Sequence, residues 1–152
     1  MKTLNQWFEE YAESHQNEIN AKIHYVCVPV IFFSIVGMLL SINASFLQEL
    51  FPIKNPIFVN WAVVFLIFVL GFYLTLSLKT FFQMLAFSMV SLVLNYFLSK
   101  YVSLFYFNLV LFIIAWIGQF YGHKIEGKKP SFFKDLQFLL IGPAWVFKKM
   151  FS

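Results

Sequence analysis

The chain has 152 residues, of which 61% are hydrophobic, 22% aromatic and only 12% charged, and its formal net charge is +4. Soluble domains contain about 45–50% apolar and about 25% charged residues, so this composition excludes an ordinary soluble domain and predicts a membrane protein. Every basic residue is a lysine. Without arginine to form paired hydrogen bonds with guanine or phosphate, nucleic-acid binding is not expected.

Residues 3–15 are the first predicted element, an amphipathic helix that lies at the membrane surface. One face carries apolar and aromatic residues at helical spacing, and the other carries three glutamates: Leu4, Trp7, Phe8, Tyr11 and His15 against Glu9, Glu10 and Glu13. Residues 1–23 lack the apolar core of a cleavable signal peptide. The single cysteine, Cys27, excludes an intrachain disulfide.

Four longer apolar segments follow, and each has about the 20 residues needed to cross a bilayer. They cover residues 25–42, 56–78, 81–98 and 102–121. A fifth apolar segment, residues 132–147, is shorter and is interrupted by Gly142 and Pro143. It is predicted to be re-entrant or interfacial, or a short fifth span. The predicted fold class is therefore an all-α integral membrane protein, with residues 1–152 forming a single membrane domain.

The lysines predict which side of the membrane each loop occupies. Four spans would place the N-terminus and the segment after residue 121 on the same side. Seven lysines fall on that side and two, Lys54 and Lys100, on the other; the seven are Lys2, Lys22, Lys79, Lys124, Lys128, Lys129 and Lys134. Because positively charged loops stay in the cytoplasm, the first side is predicted to be cytoplasmic.

All three histidines lie beside predicted spans on that same side. His15 precedes the first span, His24 lies at its start, and His123 follows the fourth. Ionisable groups at membrane depth are costly, so their convergence would indicate a functional site. His15 and His24 are nine residues apart, which on one straight helix gives opposite faces. We therefore predict a bend in SHQNEIN, with Asn17 capping a new helix on which Asn20 and His24 stack.

A second polar face surrounds His123. Gln119, His123 and Glu126 share one helix face, and Gly122 permits the close approach of a neighbour. Imidazole suits iron, zinc, copper or nickel, and histidines with one carboxylate are typical of non-haem Fe(II). The predicted metal ligands are therefore His15, His24, His123 and Glu126.

Simpler interpretations exist for the same residues. A single histidine at a membrane interface is usually only a tolerated polar residue, and Glu126 near several lysines is more often a solvated charge than a ligand. Asn95 and Asn108, inside predicted spans, are more often interhelical hydrogen bonds than substrate contacts. Two other classes stay open: a non-enzymatic metal or haem protein with histidines as axial ligands, and a structural or transport protein whose histidines bind nothing.

Two separated stretches of the sequence are similar to motifs of one family. YAESHQNEINAKIHYVCVP, residues 11–29, contains a tyrosine, a histidine, an asparagine, a second histidine and a proline in the family's order. QFYGHKIEGKKPSFF, followed by DLQFLLIGPAWVF, contains a glutamine, a glycine–histidine pair, an acid and two prolines. Both stretches resemble the motifs of the membrane 2-hydroxy fatty acid dioxygenases (the Mpo-type family), and the resemblance covers the whole chain.

The resemblance implies an Fe(II)-dependent enzyme that uses O2 to shorten 2-hydroxy fatty acids by one carbon. His15, His24 and His123 would then be iron ligands. The other implied roles are a fourth ligand or catalytic base and two residues that orient ligands, namely Glu126, Asn20 and Gln119. Apart from the resemblance, we expect the substrate carboxylate to lie at the cytoplasmic face and to pair with Lys124 or Lys128. A composition that is rich in phenylalanine and isoleucine and lacks arginine suggests a bacterial member in the inner membrane, in contact with lipid and with its site facing the cytoplasm. The sequence leaves the oligomeric state open.

Overall fold

The computed structural model describes residues 2–53, 55–127 and 132–150; within the last range it describes the side chains of Phe138 and of residues 140–149. The described residues form helices and connecting turns, with no strand among them. The helices are α1 (Leu4–Ala12), α2 (Glu18–Leu40), α3 (Ser45–Leu50), α4 (Trp61–Leu76), α5 (Leu78–Leu98), α6 (Leu104–Glu126) and α7 (Phe132–Met150). The predicted all-α class is confirmed.

Among the described residues, three helices are long and apolar enough to cross a membrane, namely α2, α5 and α6. The prediction of four such spans is wrong, because the second one, residues 56–78, contains only the 16-residue α4. Asn60 caps the start of α4 by accepting a hydrogen bond from the Val63 N–H, and Ser77 ends the helix in an extended conformation. At 1.5 Å per residue α4 is about 24 Å long, shorter than the ~30 Å hydrocarbon layer.

The remaining predicted segments overlap helices that begin or end at different residues. The span 25–42 extends past the end of α2 at Leu40, the span 102–121 starts before α6 begins at Leu104, and the span 81–98 lies in α5. The surface helix predicted for residues 3–15 is shorter in the structure, where α1 begins at Leu4 and ends at Ala12. The fifth segment, 132–147, falls inside α7, which continues through Pro143. The re-entrant or interfacial positions proposed for α1 and α7 stay predictions, as does the single-domain assignment.

Helix α1 begins at a capping box. The Thr3 hydroxyl accepts a hydrogen bond from the Gln6 N–H, and the Gln6 side chain accepts one from the Thr3 N–H. These bonds satisfy two N–H groups that a helix start leaves without partners. Phe8 and Tyr11, on the apolar face, are buried, and α1 packs against α7. This packing places Tyr11 in the region of the histidines.

The chain forms two compact units, the first comprising residues 1–32 and 112–152 and the second residues 33–111. Within the second unit, two fully buried asparagines connect three helices. Asn108 Nδ2 donates to Asn95 Oδ1 at 2.9 Å and to the Leu104 carbonyl at 3.0 Å. Asn95 Nδ2 donates to the carbonyls of Phe33 at 3.1 Å and Ser91 at 3.0 Å. The interhelical hydrogen bonds predicted for these asparagines are confirmed.

Replacing Gly37 is expected to disrupt this asparagine pair. A Cβ at Gly37 would lie 2.1 Å from Asn108 Nδ2 and 2.2 Å from Asn95 Oδ1. Gly37→Ala should therefore lower the free energy of unfolding by about 1–3 kcal/mol, because the overpacked side chains must break buried hydrogen bonds to move. Thermal unfolding measures the loss. Gly71→Ala is the control, since a Cβ there meets nothing within 4 Å. Equal stability of the two variants would contradict the role assigned to Gly37.

Candidate metal centre

The turn between α1 and α2 places His15 beside the start of α2. The His15 N–H donates to the Ala12 carbonyl at 3.0 Å, which keeps the chain turning after α1 has ended. Asn17 Oδ1 accepts hydrogen bonds from the N–H groups of Ile19 at 2.9 Å and Asn20 at 3.3 Å. A side-chain oxygen in this position begins a helix, so the predicted bend and the capping role of Asn17 are confirmed.

His15, His24 and His123 form a buried group within the first unit. Each offers one ring nitrogen, and these nitrogens all lie within 4.8 Å of one another. The ring centroids are 4.2 Å apart for His15 and His24, 5.0 Å for His24 and His123, and 5.6 Å for His15 and His123. Two imidazole nitrogens on one ion, each about 2.1 Å from it, lie at most about 4.2 Å apart. The group therefore fits one metal ion after a small inward movement.

The backbone orients two of the three rings. His15 Nδ1 lies 2.7 Å from the Tyr11 carbonyl oxygen, and His24 Nδ1 lies 3.0 Å from the Asn20 carbonyl oxygen. A carbonyl only accepts hydrogen bonds, so each Nδ1 donates its N–H. In the neutral ring the lone pair then lies on Nε2, as in histidines that bind metals and donate their other N–H to the protein. The Tyr11 ring also stacks on His15, with centroids 4.1 Å apart and an interplanar angle of 7°.

Glu126 binds the turn between α1 and α2. Its Oε1 accepts a hydrogen bond from the Gln16 N–H at 2.9 Å. Its Oε2 accepts from the Asn17 N–H at 2.9 Å and from Asn20 Nδ2 at 3.0 Å. Asn20 Nδ2 also donates to the Ser14 carbonyl at 3.0 Å. The carboxylate thus connects the end of α6 to the segment that positions His15 and His24.

Glu126 lies outside the group of close metal-ligand atoms, which contains the three histidines alone among the described residues. Its fourth-ligand and catalytic-base roles stay predictions. The contacts instead support a positioning role, which sequence spacing alone does not reveal. Asn20 is fully buried. Its backbone carbonyl binds His24 Nδ1 and its side-chain amide binds Glu126, so Asn20 links the carboxylate to the His24 ring.

The three imidazole rings line a small cavity of about 20 Å³, which has room for about one water molecule. Its lining consists of the three histidines with Tyr11, Val28, Gln119 and Phe138. Gln119 therefore lies at the cavity, as an orienting residue must. Sequence reasoning did not assign Tyr11, Val28 or Phe138 to the site, although Tyr11 lies four residues before His15 and hence on the same helical face.

Of the two lysines predicted to bind the substrate carboxylate, the structure describes only Lys124. Lys124 is exposed on α6 and is not among the lining residues. Lys128 lies outside the described residues. Their role as substrate contacts stays a prediction.

Glu126→Gln is expected to weaken the turn even in metal-free protein. The amide keeps one acceptor oxygen, whereas its NH2 group would face N–H donors, so at least one of the three hydrogen bonds is lost. The free energy of unfolding should fall by about 1–2 kcal/mol. Hydrogen bonds to a charged group are strong, but solvent partly screens the carboxylate of Glu126 and so reduces the loss. Chemical denaturation of the metal-free variant measures the loss.

The matched control for that variant is Glu18→Gln. Glu18 is an exposed carboxylate in the first turn of α2, within 3.9 Å of Lys22. Removing its charge should cost less than about 0.5 kcal/mol, as is usual for a surface ion pair within one helix. Equal stabilities for the two metal-free variants would show that Glu126 does not hold the turn.

Helices of membrane-spanning length and a buried group of three histidines able to bind a metal define the class: a helical protein of membrane type with a candidate metal site. The family model described as 2-hydroxy-palmitic acid dioxygenase Mpo1-like matches residues 1–152, and the chain belongs to that family. The match confirms the resemblance inferred from the two histidine-containing motifs. No curated protein and no solved structure matches the chain.

Proposed function

We propose that this protein is an Fe(II)-dependent dioxygenase that uses O2 to shorten 2-hydroxy fatty acids by one carbon. The observation that carries the proposal is the group formed by His15, His24 and His123, in a chain whose family is named for a dioxygenase. Neutral imidazoles suit several transition metals, but the O2 chemistry implied by that name favours redox-active iron over zinc. A 20 Å³ cavity also favours a bare ion over the haem alternative.

The residues of the chain have separable roles in this proposal. Three histidines would hold the iron, which when bound supplies Lewis acidity and O2 chemistry at its open coordination positions. The carbonyls of Tyr11 and Asn20 keep the rings in the orientation that directs Nε2 to the ion. Gln119 provides a polar side chain to orient the substrate hydroxyl or carboxylate. Tyr11, Val28 and Phe138 exclude bulk water.

The position of the site along the helices suits an amphiphilic substrate. His24 lies near the beginning of α2 and His123 in the last turn of α6, and both helices are candidate membrane spans. We place the polar head of the fatty acid near these helix ends and its acyl chain in the bilayer among lipid. A site on the cytoplasmic side of a bacterial inner membrane is part of this proposal, although the lysine count that suggested it assumed four spans.

Product analysis tests the proposed reaction. Purified protein is incubated with Fe(II), O2 and 2-hydroxypalmitate, and mass spectrometry follows the acid that is one carbon shorter. The proposal expects this acid to form, and to be absent without O2 or with a chelator. Palmitate, which lacks the 2-hydroxyl group, is the control substrate and should remain intact. Folded, iron-loaded protein that forms no shortened acid would contradict the proposed function.

A further inference from the structure

A second depression lies between α1 and α7, within the same compact unit as the histidines. It is an open groove of about 560 Å³, whose lining includes Phe8, Glu9, Trp145, Lys148 and Lys149. A volume of this size falls within the range of small-molecule sites. No role assigned above uses this groove.

The groove combines an apolar floor with a positively charged rim. Phe8 is 6% exposed and Trp145 3% exposed, whereas both lysines are exposed. Lys148 Nζ lies 4.8 Å from the centroid of the Phe8 ring, and Lys149 Nζ lies 5.9 Å from that of Trp145. Two ammonium groups oppose one carboxylate, Glu9, in the lining. This arrangement suits an anionic head group attached to an apolar chain.

Trp145 connects the groove to the metal cavity through its ring contacts. While it lines the groove, its ring centroid lies 5.0 Å from Tyr11 and 5.6 Å from His15. The cavity behind it has room for about one water molecule, less than a hydroxy-carboxylate group requires. A hydroxy-carboxylate head therefore exceeds the space beside the histidines, and the groove offers it a first binding position next to Trp145. Pro143, two residues before Trp145, lacks the N–H of a regular helix and weakens α7 at this point.

We propose that the α1–α7 groove is the entry site for the carboxylate head of a long-chain fatty acid, with Lys148 and Lys149 as its binding residues. The head then passes Trp145 to reach the histidines. The identity of the ligand rests on the proposed function, whereas binding in the groove requires no turnover.

Binding of palmitate tests this inference without the reaction. Titration calorimetry in neutral detergent micelles compares the parent protein with the double variant Lys148→Gln/Lys149→Gln. We expect the double variant to raise the Kd at least about tenfold, because two charge-assisted contacts are lost. The double variant Lys148→Arg/Lys149→Arg, which keeps both charges, should bind like the parent protein.

The matched control is Lys79→Gln/Lys100→Gln, which removes the same charge from exposed lysines in the second unit. Lys100 also resembles the groove lysines, with its Nζ 5.1 Å from the centroid of the Tyr96 ring. Weakened palmitate binding only in the groove variant supports the inference. Equal affinities for the groove and control variants would overturn it. Displacement of palmitate by phosphatidylglycerol at equal concentration would also overturn it, because the groove would then be a site for anionic lipid.

Kinetics distinguish this inference from the proposed function. If the protein shortens 2-hydroxypalmitate, the groove variant should raise KM for that acid with kcat unchanged. A lowered kcat with normal KM would place the lysines in the chemistry and contradict an entry site. Palmitate binding that depends on Lys148 and Lys149, in protein that forms no shortened acid, would support the groove while contradicting the dioxygenase proposal.

Discussion

His24→Ala is expected to remove nearly all bound iron from the protein and to abolish product formation. His24 is the most buried of the three histidines, at 1% exposed, and its ring lies close to both of the others. Losing a residue that supports a metal ligand lowers metal affinity about 10–100-fold. Losing a ligand itself should lower it at least about 100-fold. Iron analysis after reconstitution and dialysis measures the effect, and His15→Ala and His123→Ala should behave alike.

The control for these variants is Lys22→Ala. Lys22 is exposed on α2, two residues before His24, so its replacement leaves the buried group intact. Circular dichroism of each variant shows whether the helices have formed. A folded His24→Ala protein that keeps one iron per chain would show that the histidines do not hold the metal.

Gly122→Ala is expected to have the second-largest effect, although Gly122 has no side chain to bind anything. A Cβ there would lie 2.3 Å from Asn20 Oδ1 and 3.4 Å from His24 Cε1. Asn20 is held by hydrogen bonds to the Ser14 carbonyl and to Glu126, so it must break one of them to make room. We expect a loss of about 1–3 kcal/mol in the free energy of unfolding and a 10–100-fold loss in iron affinity, of about the size seen for residues that support metal ligands.

Thermal unfolding and iron titration together test the role of Gly122. Gly71→Ala is the control, because it adds the same methyl group to a helix where nothing lies within 4 Å. That variant should be as stable as the parent protein, or more stable by up to about 1 kcal/mol, since alanine favours helix. If Gly122→Ala matched Gly71→Ala in stability and iron affinity, the close packing of α6 against Asn20 would not position His24.

The sequence predicted the all-α class because long apolar runs indicate segments in contact with lipid. In lipid the backbone N–H and C=O groups must bind one another, which a helix achieves within one segment. It did not predict how short α4 is. The apolar run 56–78 is nearly continuous, and hydropathy does not register that Asn60 and Ser77 act as caps. Two polar residues at the ends of α4 therefore leave it too short to count among the helices of membrane-spanning length.

The site was predictable in part. The bend after His15 and the cap at Asn17 followed from local propensities, so the approach of His15 to His24 was accessible from the sequence. The contacts of Glu126 were not, because its partners lie about a hundred residues earlier and include backbone N–H groups, which have no sequence signature. The same holds for Trp145, whose contact with His15 depends on the packing of α7.

X-ray absorption at the iron edge is the most direct test of whether the three imidazoles hold one metal ion. Protein reconstituted with one equivalent of Fe(II) is measured without substrate. We predict scattering from three imidazole rings, with Fe–N distances of about 2.1 Å, and the loss of one ring in any iron-loaded histidine variant. A spectrum with one imidazole or none, or one unchanged in His24→Ala, would contradict the assignment of His15, His24 and His123 as the metal centre.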